Sequence, residues 1–268
     1  MTRLSSWTCL AVLAIGGLLV ADPEDPASLR WRQEKMELAL EGHVPSMLAL
    51  GDRYLLEGEK DLARKWFRDV ADLQVAEGVW KLIGIEERRP LAERAKTMEK
   101  LYRELIVLQE SRGYFRLGRL YCWPQSPLRD LTRGRLYLED AANLGVVEAK
   151  LLLGKLFLGS WKHPQNFIRA IDWLTQAARA KSSEANRHLG MMYRYGMGAK
   201  QNFEKAWTYY SEAARLKDKD SMFIIAEALY EGKDIEKDLP RAHLYYVEAA
   251  EQGHMKAKDR LKERSFTP

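Results

Sequence analysis

Small and apolar residues recur along most of this chain at offsets of 0, 3, 4, 7 and 8, the spacing of a single stripe on an α-helix. Ala170, Trp173, Leu174, Ala177 and Ala178 form one such stripe. Ala206, Tyr209, Tyr210, Ala213 and Ala214 form the next, and Ala242, Tyr245, Tyr246, Ala249 and Ala250 another. Gly134, Tyr137, Leu138, Ala141 and Ala142 precede them, and looser versions start at Ala63 and Met98. Before each stripe runs a second amphipathic segment marked by a leucine or isoleucine followed by a small residue: Leu50-Gly51, Ile83-Gly84, Leu117-Gly118, Leu153-Gly154, Leu189-Gly190 and Ile225-Ala226. These pairs recur at spacings of 33, 34 and then 36 residues. A pattern repeating at this period, with two helical stripes per period, predicts units of two antiparallel helices.

The residues between the stripes agree. Asp130, Asn166, Asn202 and Asp238 each stand four residues before a second-helix stripe, where a side-chain oxygen accepts from the free amides of a first helical turn. Gly196-Met197-Gly198 and Gly232 supply turns between helices, and Gly145 and Gly253 follow second helices, where a left-handed residue is wanted. Glycine inside a helix costs about 1 kcal/mol relative to alanine. Its repeated use beside the leucine predicts a packing purpose, the close approach of a side chain from a neighbouring helix.

The string Ala185-x3-Leu189-Gly190-x2-Tyr193-x2-Gly196-x-Gly198-x3-Asn202-x2-Lys205-Ala206-x2-Tyr209-Tyr210-x2-Ala213-Ala214 closely resembles the Sel1-like repeat, a relative of the tetratricopeptide repeat. The resemblance runs from residue 46 to about 250 and is poorest in the second unit. It implies an all-α fold, a right-handed α-solenoid of helix-turn-helix repeats closed by capping helices. Six repeats are expected over 46–78, 79–112, 113–148, 149–184, 185–220 and 221–253. A linker and N-terminal capping helix take residues 22–45, and a C-terminal capping helix and tail take 254–268.

Ahead of this stands a different kind of segment. Arg3 is the one charge before Asp22, and Leu10 to Val20 is an unbroken apolar and small run closing at Ala21. That layout is a secretory signal peptide over residues 1–21, with an uncleaved membrane anchor as the alternative. The run falls short of the roughly 20 apolar residues that span a bilayer. Export to a bacterial periplasm, with no membrane insertion after cleavage, is the expectation.

Composition narrows the function classes. Charged residues make up 30% and hydrophobic residues 46% of 268, the mix of an ordered globular chain. A net charge of +5 over that length is too mild to point to nucleic acid. Two cysteines, one of them in the leader, build neither a disulfide framework nor a four-cysteine zinc site. Cys122 is expected to be buried. The five histidines, His43, His163, His188, His243 and His254, hold no metal-ligand spacing. No nucleophile elbow or phosphate-binding glycine loop is present. The expectation is therefore no catalytic residue, no metal, no cofactor and no enzymatic activity. Some secreted members of the family carry a cysteine pair in every repeat and have been linked with β-lactam binding; this chain lacks the pairs, so that activity does not carry over.

A solenoid without chemistry works through its surface. First helices of paired-helix repeats usually line the concave wall, and on them the side opposite the packing stripe collects Phe115, Arg116, Arg119, Trp123, Lys155, Arg187, His188, Met191, Arg194, Tyr195, Phe223 and Tyr230. Arginine mixed with aromatic and aliphatic groups is the composition of protein-binding hot spots. The sequence points to a non-catalytic module in the periplasm or envelope, holding an acidic, partly apolar segment of another protein on this wall. Reversal of Arg119 and Arg194 is expected to weaken capture. Resemblance suggests a component of an envelope complex, or a secreted antibacterial effector such as a phospholipase that the chain would neutralise as an immunity protein. An anionic polysaccharide or envelope component is a further alternative, and an envelope hydrolase the least favoured. The opposing reading is that these apolar groups pack between repeats while the charges face water.

Overall fold

The computed structural model describes residues 26–159 and 164–263, so the expected signal peptide and the last five residues lie outside the described residues. Among the described residues there are fourteen helices and no strand, the all-α repeat solenoid that the periodicity predicts. No described helix is long and apolar enough to cross a membrane. The chain divides into two compact units, one ending at Ile85 and the other beginning at Glu86.

The first unit contains α1 (Pro26–Leu40), α2 (Val44–Leu56), α3 (Lys60–Asp72) and α4 (Ala76–Glu86). Leu50, Phe67 and Val70 are fully enclosed, and burying each such side chain contributes about 1.5–3 kcal/mol. The packing role of the glycines is plain here: a methyl group on Gly51 would lie 2.3 Å from the Phe67 ring. Gly78 plays a different part. A Cβ on it would meet the Phe67 carbonyl and the Ala71 amide at 2.6 Å, and Gly113 meets the Tyr102 carbonyl and Ile106 amide in the same manner. Gly78 therefore stands where Gly113 stands in the following repeat, one residue before the expected start of the second repeat at 79. Gly84, given the packing-glycine place, has nothing within 4 Å of where a Cβ would stand.

The second unit continues with α5 (Leu91–Val107), α6 (Ser111–Cys122), α7 (Leu131–Asn143), α8 (Val147–Leu158), α9 (Pro164–Arg179), α10 (Ser183–Tyr195), α11 (Phe203–Arg215), α12 (Lys219–Glu231), α13 (Leu239–Glu251) and α14 (Met255–Glu263). Consecutive helices pack on one another throughout. Inside each pair the leucine-glycine position receives one bulky residue from the second helix: Leu138 on Gly118, Leu174 on Gly154, Tyr210 on Gly190. Leu117, Leu153, Leu189, Leu138, Leu174, Tyr210 and Tyr246 are all sealed from water.

Asp130, Asn202 and Asp238 cap α7, α11 and α13, each accepting from amides two or three residues on. Asn166, the fourth predicted cap, lies in the first turn of α9, which starts at Pro164. First helices carry caps of their own that the pattern did not reveal: Ser182 accepts from Ala185, Asp218 from Ser221, and His254, through Nδ1, from Ala257. These three lie 36 residues apart, so α14 is the first helix of a further, half-complete repeat rather than an unrelated lid. Left-handed backbone ends the second helices not only at Gly145 and Gly253 but also at Gln109, Lys181 and Lys217.

Candidate functional site

The twelve residues assigned to a docking wall all lie in the second unit, and they fall into separate clusters. Phe115 and Arg119 stand one turn apart on α6, and Trp123 follows as its C-cap residue. The Arg119 guanidinium lies 5.7 Å from the Phe115 ring centre and 6.0 Å from that of Trp123. Such cation–π contacts contribute about 0.5–1 kcal/mol each at exposed sites. Arg119 has no ion pair among the described residues, and Trp123 is 45% exposed. Arg116, one turn earlier on the same helix, lies 3.4 Å from Glu87.

The cluster around α10 is different in kind. Lys155 on α8 reaches Glu184 at the start of α10 at 2.7 Å. Arg187 spans forward to Asp218 at 3.3 Å and Asp220 at 3.6 Å. Charges assigned to a free wall thus join successive first helices into a ladder in which each cation meets a carboxylate from the next repeat. Half-exposed pairs of this sort contribute roughly 0–1 kcal/mol each, and they fix the rotation of one helix against the next. His188 sits beneath them with both ring nitrogens buried and no hydrogen-bond partner; Glu184 is 3.6 Å away. Burial, and after it the Arg187 charge, holds its pKa below the ordinary histidine value.

Arg194 is committed more deeply. Its guanidinium bonds Asp234 at 2.8 Å, both side chains only 17% exposed, and lies 5.5 Å from the Trp207 ring, while Trp207 Nε1 donates to the Asp234 carbonyl. Asp234 itself has left-handed backbone, so this knot pins the turn between α12 and α13. Tyr195, its neighbour, stays 64% exposed. Met191 is half-buried and packs against the cores on both sides of it. Phe223 stacks on His254 with ring centres 4.3 Å apart, and Tyr230 packs edge-on to Tyr246. Met191 and Phe223 pack between repeats, and Tyr230 packs against the second helix of its own repeat. Lys155, Arg187 and Arg194 are each neutralised by a neighbouring carboxylate.

What remains presented outward is the α6 face. There the structure adds residues that sequence reasoning missed. Arg94 and Tyr102 of α5, with Glu87 from the segment before it, frame a cleft with Arg116, Arg119 and Trp123. The sequence carried no signal for Arg94 or Tyr102, since Tyr102 belongs to the degenerate second-helix stripe and Arg94 stands four residues before it. The carboxylates of the ladder were more accessible, because Asp218 keeps the 36-residue phase of Ser182 and His254.

Among the described residues no group of histidine, cysteine and carboxylate side chains is placed to hold a metal ion. Cys122 is buried and unpaired, and burial pushes its pKa up to about 11. It is a neutral thiol packed over Gly134, where a Cβ would lie 2.4 Å from its sulfur. A nucleophile of the thiolate kind needs the opposite shift.

Comparison with known proteins bears on the fold. Solved structures similar to this chain include a protective antigen of uropathogenic Escherichia coli displaying an SLR fold, 20% identical over 87% of this chain and 51% of that one, with a TM-score of 0.68. This chain therefore spans about half the length of that antigen. A Sel1 repeat protein from Oxalobacter formigenes is 21% identical over 81% of this chain and 89% of its own, with a TM-score of 0.67. The immunity protein PA5088 of Pseudomonas aeruginosa is 18% identical over 92% and 91%, and its TM-score of 0.49 is too low to bear on function. No curated protein matches in sequence. The family profile described as Sel1 repeat matches residues 111–146, 147–182, 183–218 and 219–254 in four unbroken copies. The repeat is a protein-interaction scaffold, generally non-catalytic, and with more than half its length accounted for in this way the chain belongs to the Sel1 repeat family.

Proposed function

We propose that the chain is a non-catalytic docking module, exported to a bacterial envelope, that holds an acidic and partly apolar segment of a partner protein. The supporting observation is the α6 face. Arg119 is the cation of the twelve-residue set without a carboxylate partner among the described residues, and it is held between two aromatic rings, one of them half-exposed. A stiff arginine-aromatic stack costs little conformational entropy to dock, which is why Trp, Tyr and Arg dominate binding hot spots.

The wall assigned from sequence contracts accordingly to Phe115, Arg116, Arg119 and Trp123, with the exposed Tyr195 ring at a distance along the repeats. Arg194 is replaced as a probe, because its reversal would break the knot around Asp234. The test is capture of envelope proteins by the full chain, comparing the wild type with Arg119→Glu and Trp123→Ala. Arg133→Glu, exposed on α7, serves as the control. Loss of the captured protein from both face variants and its retention by the control supports the reading; equal capture by all four refutes it. A secreted toxin at one-to-one stoichiometry would mark an immunity role, and an export or motility complex a scaffold role. Salt separates protein from polysaccharide or lipid, because exposed charge contacts weaken steeply as the Debye length shrinks, whereas a stack with a half-buried core loses much less.

A further inference from the structure

The cleft between α5 and α6 has a volume of about 120 Å³ and is lined by three guanidinium groups, Arg94, Arg116 and Arg119, against a single carboxylate, Glu87. Its polar groups are incompletely satisfied. Tyr102 is only 4% exposed, yet its hydroxyl has no hydrogen-bond partner among the described residues. Arg94 Nε is buried without a partner, while the other end of that guanidinium donates to the backbone carbonyls of Glu86 and Glu87. Arg119 has its ring contacts and no ion pair. A buried donor left without an acceptor costs about 1–3 kcal/mol. The ladder around α10 shows that this chain pairs its surface cations where carboxylates are in reach. Three donors left open around one cleft are donors arranged for a ligand.

The chemistry of that ligand follows from the walls. The donors call for an anion. The planar guanidinium fork matches a planar carboxylate through two parallel bonds. Glu87 is already 3.4 Å from Arg116 and opposes a second negative charge, which disfavours a phosphate dianion. Leu91, Met98 and Leu120 complete the lining, so the acid arrives on an aliphatic stem. Trp123 at the rim offers a flat apolar surface to whatever is next to it.

We propose that this cleft anchors the docked segment by taking up an acidic side chain of the partner. Its carboxylate meets Arg94, Arg119 and the Tyr102 hydroxyl, and an adjoining apolar side chain lies on Trp123. This inference rests on the docking function proposed above and specifies the chemistry at one end of it. Burial is also the main influence that raises the Tyr102 pKa, which keeps the hydroxyl a donor at neutral pH.

The test starts from a display library of random twelve-residue peptides selected on the full chain. Enriched peptides, made with a fluorescent label, are then measured by anisotropy against the wild type, Tyr102→Phe, Arg119→Gln and, as a control on a distant exposed pair, Arg215→Gln. Far-UV circular dichroism verifies that each variant is folded. The expected result is enrichment of a glutamate or aspartate beside an apolar residue. Replacing that acid by its amide should weaken binding roughly tenfold or more, and Tyr102→Phe, which removes one oxygen and nothing else, should weaken it by a similar factor, as for one hydrogen bond to a charged group. Peptides that bind without an acid, or that bind Tyr102→Phe and Arg119→Gln as tightly as the wild type, overturn the cleft and leave the docking function standing. Displacement by inorganic phosphate as readily as by the acidic peptide overturns it in favour of a small-anion site. If no peptide is enriched, the docking function falls with it.

Discussion

Gly118→Ala and Gly84→Ala are the same chemical change at two places that the repeat pattern treats as equivalent, and the structure predicts opposite signs for them. An alanine in a helix is favoured over glycine by up to about 1 kcal/mol. At Gly84 nothing lies within 4 Å of the added methyl, so a gain of about 0.5–1 kcal/mol is expected. At Gly118 the methyl would stand 2.8 Å from Leu138 Cγ, 2.9 Å from the Gly134 carbonyl oxygen and 3.0 Å from the Leu138 amide nitrogen. Two of those three are backbone atoms of α7, which no rotamer change can move. Overpacking of this kind costs about 1–3 kcal/mol, outweighing the propensity gain and leaving a net loss of about 1–2 kcal/mol. The two variants should then differ by roughly 1.5–3 kcal/mol. Urea unfolding followed by far-UV circular dichroism measures this. Repeat arrays depart from two-state behaviour when neighbours uncouple, so the midpoints and slopes of both variants need comparison with the wild type. A Gly118→Ala protein as stable as the wild type would refute the claim that glycine sets the α6–α7 distance.

Lys217 has a left-handed backbone at the end of a second helix, with φ of 66°. Lys217→Gly removes the strain on Cβ and should raise stability by about 0.5–1 kcal/mol in the same unfolding assay. His188 and His254 both have pKa values held below the ordinary range, in each case mainly by burial. The unfolded chain therefore takes up protons first as pH falls below about 6.5, and the folded state loses stability from there down to the native pKa values. Melting temperature should decline between pH 7.5 and 5.5, and His188→Gln should flatten that decline. The Cys122 thiol, with its pKa pushed up to about 11, should react with iodoacetamide far more slowly in the native protein than in urea, as followed by mass spectrometry; equal rates would mean that the thiol is not enclosed.

Much of the fold was legible in the residues because its determinants are short-range. A stripe at 3.6-residue spacing, a capping oxygen such as Asn202 and a leucine beside a glycine all express their preference within one or two turns. The 36-residue period then multiplies each weak signal by the number of copies. The second repeat begins one residue earlier than its expected start at 79, and only the Phe67 carbonyl and Ala71 amide that Gly78 meets across the helix interface mark this.

The site was less legible. That Arg119, Arg187 and Arg194 lie on comparable faces of first helices follows from helical geometry, but whether each is available does not. Lys155 meets Glu184 across 29 residues and Arg194 meets Asp234 across 40, so their neutralisation depends on how successive repeats are rotated and spaced. Coulombic attraction and desolvation depend on through-space distance and on the water excluded around a charge, and neither quantity is written in the order of residues. By itself, the amino-acid order determined a stack of paired helices, its period and its caps. Tertiary structure alone decided which charges were consumed in holding the repeats together, and that Arg119 and the Tyr102 hydroxyl face an open cleft.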